Sequence, residues 1–429
     1  MEVEMLPVTN VTGNSETRTG LMPLAEVRQR MLDAVDTIGE TEMVALEGLD
    51  GRVLADPIIS PLDSPPADNS AMDGYALRYG DLSADARFTV VGKAMAGAPF
   101  KGRVRPGQVV RIMTGAEIPA GADTVVMQEN ATLSRSASPE SDLVSFTDPS
   151  LRLGENVRRR GEDITLGAQV LSSGRRIGPV DIGLLATLGL SQVRVMKPLT
   201  VALFASGDEL RPPGHVLAPG EIYDSNRYFL KAMLVRLGCA VIDLGVIADD
   251  IDQLREAYRQ ADQQADAVVT CGGASVGEAD YAQRLLGELG EVNFWKVAIK
   301  PGKPFMFGRL SNSVFFGLPG NPVSALVTFH QLVLPVLQKM QGAQESPALT
   351  LTARTTCDIR RNRLRLDLQR GLYQADDKGG VEVTPDRQQS SGALGPMSRC
   401  NCFILLAAGN SPARAGDAVE ILPFDRWLQ

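Results

Sequence analysis

The stretch Val201-Ala202-Leu203-Phe204-Ala205-Ser206-Gly207-Asp208-Glu209 decides the architecture. A short apolar run, Val201–Phe204, gives way to a polar loop, and the same succession recurs downstream. Ala240–Val246 leads into Ile247-Ala248-Asp249-Asp250. Ala267–Thr270 leads into Cys271-Gly272-Gly273-Ala274-Ser275-Val276-Gly277-Glu278-Ala279-Asp280. Val314–Gly317 leads into Leu318-Pro319-Gly320-Asn321-Pro322. Helical patterns separate these runs over Asn226–Leu237, Ile251–Gln260 and Tyr281–Leu289, and a long one follows over Val323–Met340. Short apolar strands alternating with helices require crossover connections, so the expected fold class is α/β, centred on a doubly wound, mostly parallel sheet with helices on both faces. Ligands of such sheets bind beyond the carboxyl ends of the strands, which is where these polar loops collect.

Outward from this core the texture changes in both directions. Upstream, residues 63–164 are dense in Gly and Pro and carry only short β-like runs, at Phe88–Val91, Val109–Met113, Thr124–Gln128 and Leu143–Phe146, which predicts a separate β-rich domain. It is flanked by residues 22–62, with a helix opened by Pro23, and 165–198, with a helix over Pro179–Leu188 and a strand before Pro198. Together these segments read as one discontinuous helix/strand linker domain, preceded by a flexible N-terminus, 1–21. The α/β domain spans 199–342. Downstream, 343–429 shows five β-like runs, which predict a small barrel-like or sandwich domain.

Composition narrows the function classes. The 429 residues include 43 Lys+Arg against 51 Asp+Glu, a net charge of −8, so a nucleic-acid partner is disfavoured for want of clustered cations. No run of about 18 apolar residues appears and the N-terminus lacks an apolar signal core, so neither a membrane span nor secretion is expected. Five cysteines without disulfide or zinc spacing fit a reducing cytoplasm. Only two histidines exist: His330 in an apolar helical pattern reads as a packed residue, and His215 as a loop residue. Chemistry must then rest on carboxylates, lysines, arginines, hydroxyls and backbone.

The loop Gly272-Gly273-x-Ser275-x-Gly277 opens a helix after a buried strand, and free N–H groups there form a phosphate cradle; a plain βα turn is the bland alternative. Leu318-Pro319-Gly320-Asn321-Pro322 is a second such loop, with Pro322 in the first helical turn. Neither the dinucleotide fingerprint nor the Walker loop is present. Glu209, Asp249 and Asp280 fall in three loops at one sheet end. Facing a phosphate site, they call for a hard divalent cation, typically Mg²⁺, unless they merely cap helices, as Asp249 or Asp250 could. Lys296, Lys300 and Lys303 add cations in a Gly/Pro-stiffened segment. Arg158-Arg159-Arg160-Gly161-Glu162-Asp163 is either a solvated face or a site, and Asp73 before Gly74 is ordinary turn chemistry when taken alone.

The ordered motifs Asp68-Asn69-Ser70-Ala71-Met72-Asp73-Gly74-Tyr75-Ala76, Arg111-Ile112-Met113-Thr114-Gly115-Ala116, Arg160-Gly161-Glu162-Asp163, Ser206-Gly207-Asp208-Glu209-Leu210, Gly272-Gly273-Ala274-Ser275-Val276-Gly277, Lys300-Pro301-Gly302-Lys303-Pro304 and Leu318-Pro319-Gly320-Asn321-Pro322 resemble those of the molybdopterin molybdenumtransferase family, over about residues 22–425. The resemblance implies insertion of molybdate into adenylylated molybdopterin with release of AMP, Mg²⁺ as the metal, and a homodimer whose cleft is shared between subunits. It implies Asp73, Thr114 and Asp163 on the β-rich side, and Glu209, Asp249, Asp280, Lys296, Lys300, Pro319 and Pro322 on the α/β side. A molybdopterin adenylyltransferase and cofactor-accepting proteins are the implied partners. Two rivals stand beside it: the upstream adenylylation of molybdopterin, and a non-catalytic scaffold.

Overall fold

Residues Val201–Ala205 are apolar without a break, and a strand of that composition has to be covered on both faces. The computed structural model describes residues 20–83, 85–134, 142–148, 150–272, 285, 287–345, 347–409 and 411–428. The chain forms two units, one of residues 1–42, 51–53 and 196–429, the other of 43–50 and 54–195.

In the first unit a six-stranded sheet runs in the order Ala240–Ile247, Thr200–Ser206, Ala267–Cys271, Val314–Leu318, Pro304–Leu310, Gly290–Lys296. The first four strands are parallel, and Pro304–Leu310 pairs antiparallel with both Val314–Leu318 and Gly290–Lys296. Val201, Leu203 and Ala205 face Leu230, Met233 and Leu234 of helix Asn226–Arg236, while Ala202 and Phe204 face Ala257, Tyr258 and Ala261 of helix Ile251–Gln264. The last two strands lie on either side of the Lys/Gly/Pro segment that the sequence reading took as a cation-bearing, Gly/Pro-stiffened segment. That segment is the link of a β-hairpin whose partners are set by pairing with Val314–Leu318.

The long helix is present over Pro322–Met340, but it contains a π-helical turn at Phe329–Val333. Pro335 lies two residues past that turn; lacking an N–H, it cannot donate the α-helical bond back to Gln331, and the wider turn accommodates the missing bond. Five strands, Leu351–Thr355, Leu366–Ala375, Val381–Pro385, Cys402–Leu406 and Ala418–Pro423, close into a barrel because Leu366–Ala375 pairs with both Val381–Pro385 and Cys402–Leu406. Ala353, Val383, Ile404 and Ile421 fill its core.

The second unit holds another six-stranded sheet, ordered Thr124–Met127, Gly74–Leu77, Gln108–Ile112, Phe88–Ala94, Leu143–Phe146, Ala131–Ser134. Alternation along Gly74–Leu77 sends Ala76 to one core and Tyr75 and Leu77 to another. A third core in this unit gathers Leu54, Ile58 and Leu171 with Leu185 of helix Pro179–Thr187. Among the described residues no helix is long and apolar enough to cross a membrane.

Candidate functional site

The chain leaves strand Thr200–Ser206, forms Ala240–Ile247 on one side of it, and returns to form Ala267–Cys271 on the other. The strand order reverses there, and helix and loop backbones diverge to leave a crevice. A cleft of about 740 Å³ opens at this point. Its floor is Ser206, Gly207 and Gly272; one wall is the loop Pro319–Pro322; Glu209, Asp224 and Asn226 complete the polar lining. A Cβ at Gly272 would stand 2.2 Å from the Ser206 carbonyl oxygen, and its φ of +102° is left-handed, so only glycine permits these two strand ends to close together.

Asn226 joins the two halves of the cleft. Its Nδ2 donates to the Gly320 carbonyl at 2.6 Å, while its Oδ1 is buried without a partner. Pro322 begins the helix over Pro322–Thr328, where a missing N–H costs nothing. Gly392 also lines the cleft, on a loop anchored by Arg370, whose Nη2 donates to the carbonyls of Gln388 at 2.7 Å and Ser390 at 3.2 Å. Arg370 is fully buried, and that burial pulls its pKa down.

The expected carboxylates separate into two roles. Asp250 caps helix Ile251–Gln264, accepting from the N–H groups of Asp252 and Gln253. Asp249 does not cap; its N–H donates to Asp208 Oδ1 at 3.1 Å. The protein packed around Asp249, and then the like charges of Asp208 and Glu209, hold its carboxyl above the ordinary range. Asp280, Gly273, Ser275 and Gly277 lie outside the described residues. Among the described residues no three His, Cys, Asp or Glu side chains gather as metal ligands.

Of the lysines, Lys296 ends its strand opposite Pro304, and the Lys303 carbonyl accepts from Val297 N–H at 2.8 Å. Lys300 is ion-paired with the buried Asp367, Nζ to Oδ2 3.2 Å, so a partner already offsets part of its charge. Cys271, at the end of its buried strand, has its thiol pushed up to about 12 by burial. His330 is buried and bonds Asp425 at 3.0 Å, and all five cysteines are free.

In the second unit, Asp73 Oδ1 accepts from both the backbone N–H of Thr114, at 2.7 Å, and its hydroxyl, at 2.8 Å. Those bonds, and then the charge of Arg111, hold the Asp73 carboxyl below the ordinary range. Within the basic run the central arginines are structural: Arg159 pairs with Asp68 at 2.8 Å and Arg160 with Asp63 at 2.6 Å. Arg158 and Asp163, at its two ends, line a cleft of about 510 Å³ together with Ser64, Pro65, Asn69 and Glu162. Asn69 Oδ1 is buried without a partner. Asp73 and Thr114 are not among that lining.

Asp224, Asn226 and Gly392 were missed by the sequence reading. Asp224 follows the two-residue strand Ile222–Tyr223, outside the main sheet, Asn226 opens helix Asn226–Arg236, and Gly392 comes from the barrel segment; only the polar run Asp224-Ser225-Asn226 at the helix start offered a signal.

Residues 22–189 match the family model for the MoeA N-terminal region (domain I and II), 202–339 that for a probable molybdopterin binding domain, and 352–424 that for the MoeA C-terminal region (domain IV). A molybdopterin molybdenumtransferase of Haemophilus influenzae is 43% identical over 95% of this chain and 100% of its own length. One of Bacillus subtilis is 33% identical over 90% of each chain. The crystal structure of a molybdopterin biosynthesis moeA protein from Pyrococcus horikoshii superposes with a TM-score of 0.79 at 28% identity, covering 94% of this chain and 100% of that one. Three consecutive domain matches and near-full-length identity at this level show that the chain belongs to the molybdopterin molybdenumtransferase family.

Proposed function

We propose that this chain inserts molybdate into adenylylated molybdopterin, cleaving the pyrophosphate linkage so that AMP departs and molybdenum cofactor forms. The observation that carries the reading is the cleft at the strand-order reversal, where a glycine-floored turn and the Pro319–Pro322 loop face Glu209 and lie beside the Asp208–Asp249 pair. Backbone N–H groups of such loops suit a pyrophosphate, and Lys296, Lys300 and Lys303 supply countercharge at the same sheet end. Chemistry of this kind is mostly positioning and electrostatics.

Burial, and then the like charges of Asp208 and Glu209, hold the Asp249 carboxyl above the ordinary range, an environment that a hard cation such as Mg²⁺ would relieve. Glu209, Asp249 and Asp280 would hold it, and bound there it would offset the charge of the pyrophosphate oxygens. Asn226 orients the Pro319–Pro322 wall through Gly320. Asp73, Thr114, Asp163 and Arg158 form the second set of site residues. The working form on this reading is a cytoplasmic homodimer in which the Asp73 set of one subunit completes the Glu209 set of the other, with a molybdopterin adenylyltransferase and cofactor-accepting proteins as partners. Free thiols throughout fit a reducing compartment.

AMP release from adenylylated molybdopterin, followed with and without molybdate, tests the activity. Release that depends on molybdate supports it, and none in its presence sinks it. Mixing Asp73→Asn with Glu209→Gln subunits tests the shared cleft. Recovered activity after subunit exchange supports the dimer, and none counts against it.

A further inference from the structure

Strand Ala240–Ile247 pairs in register with Thr200–Ser206 as far as Leu203↔Asp243, then skips one residue to Phe204↔Gly245. Leu244 is the extra residue of a β-bulge, and Gly245 follows it at φ +81°. The insertion reverses the alternation of the strand. Val241 packs on the core beneath helix Asn226–Arg236 and Ile242 and Leu244 on the opposite core, whereas past the bulge Val246 packs on the first and Ile247 on the second. An unbroken strand would have sent each of them the other way. The bulge therefore sets which way the chain leaves the sheet two residues later, at Asp249.

One side chain holds the bulge. Arg227 Nη1 donates to both carboxylate oxygens of Asp243, at 2.8 and 2.7 Å, and its Nε donates to Asp224 Oδ2 at 2.8 Å. Asp243 Oδ1 in turn accepts from the N–H of Gly245 at 3.1 Å. The Arg227 side chain is only 12% exposed and that of Asp224 1%. Asp224 and the neighbouring Asn226 line the cleft. A guanidinium fork thus ties the cleft lining to the kink of the strand that delivers Asp249, and Lys231, at 3.1 Å from Asp243, offers only a single, more exposed contact.

We propose that Arg227 is a positioning residue, acting through Asp243 and the bulge to set the register of Asp249 against the cleft. This rests on the functional reading above. Arg227→Met keeps the apolar stem and removes the fork; hydrogen exchange over residues 243–252, global melting and steady-state kinetics are then compared with wild type. The expected result is faster exchange confined to 243–252 and kcat lower by roughly 10- to 100-fold with KM little changed, the pattern of a misplaced group rather than lost binding. Arg227→Lys, which keeps charge without the fork, should fall between, and it serves as the comparison if the Met variant does not fold. Wild-type exchange over 243–252 in a folded variant overturns the proposal. So does an activity loss carried by KM alone or by global melting alone. If wild type shows no molybdate-dependent AMP release, the functional reading fails instead, and the exchange comparison, which needs no turnover, still decides the role of Arg227.

Discussion

Asp249 gives its backbone N–H to the Asp208 carboxylate at 3.1 Å, while the next residue, Asp250, spends its own carboxylate on the N–H groups of Asp252 and Gln253. Two adjacent aspartates are thereby divided between a charged cluster and a helix cap. Asp250→Ala should cost about 1 kcal/mol of stability, the usual worth of an N-cap, with a much smaller effect on turnover. On the proposed reading that Asp249 helps hold Mg²⁺, Asp249→Asn should lower turnover by orders of magnitude and be partly rescued by raised Mg²⁺, because the quantity lost would be metal affinity. Denaturation and AMP-release assays on both variants check this; full activity in Asp249→Asn retires it.

The pH dependence of Asp249 has a definite sign. Its folded pKa lies above the unfolded one, since surrounding protein and the Asp208 and Glu209 charges disfavour ionisation. The folded state holds the proton more tightly, so stability falls as pH rises from the unfolded pKa through the folded one. Asp249→Asn should therefore be equal to or more stable than wild type above that window, and should show no such gain below it. Denaturant midpoints at acidic and neutral pH measure the difference.

Asp73 is the opposite case. Thr114 bonds, then Arg111, lower its pKa, so its contribution is present above the unfolded pKa and is lost as pH falls through the folded one. Thr114→Val removes the hydroxyl bond but keeps the N–H. Titration of the Asp73 carboxyl by NMR should show its pKa moving up toward the ordinary value, and an unmoved titration would show that the hydroxyl contributes nothing.

Gly272→Ala should be one of the most damaging small substitutions in the chain. Its Cβ would stand 2.2 Å from the Ser206 carbonyl oxygen, and φ is +102°. Backbone strain of order 1–3 kcal/mol should appear in the melting transition, together with loss of ligand binding at the cleft. Wild-type stability and binding would show that the strand ends can part without consequence.

Cys271 borders the cleft yet should be dispensable. Its thiol is pushed up to about 12 by burial, and its polar neighbours are the Pro319 carbonyl at 3.8 Å and the Asn226 amide. Cys271→Ala should leave turnover within about tenfold, ~1.4 kcal/mol of barrier. Alkylation should reach the exposed Cys357 well before it. A folded variant losing several orders of magnitude would show that a thiolate takes part.

Local pattern made much of this molecule readable from sequence alone. Apolar runs of four to seven residues followed by Gly, Ser or carboxylate place the parallel strands, their direction and the loops that bear Glu209, Asp249, Gly272 and Pro319–Pro322, because periodicity and turn chemistry are properties of neighbouring residues. The barrel strands and the helix at Pro179 were legible for the same reason. What tertiary structure alone decided depends on partners far apart in the chain. Pairing with Val314–Leu318 makes a hairpin of the segment around Lys300, and Asp367 takes up Lys300 from 67 residues away. Arg370 sets the loop that brings Gly392 to the cleft. A single unpaired residue, Leu244, determines which faces Val246 and Ile247 take: strand alternation has a period of two, so a register shift of one is invisible in composition and inverts the side chains beyond it in the strand.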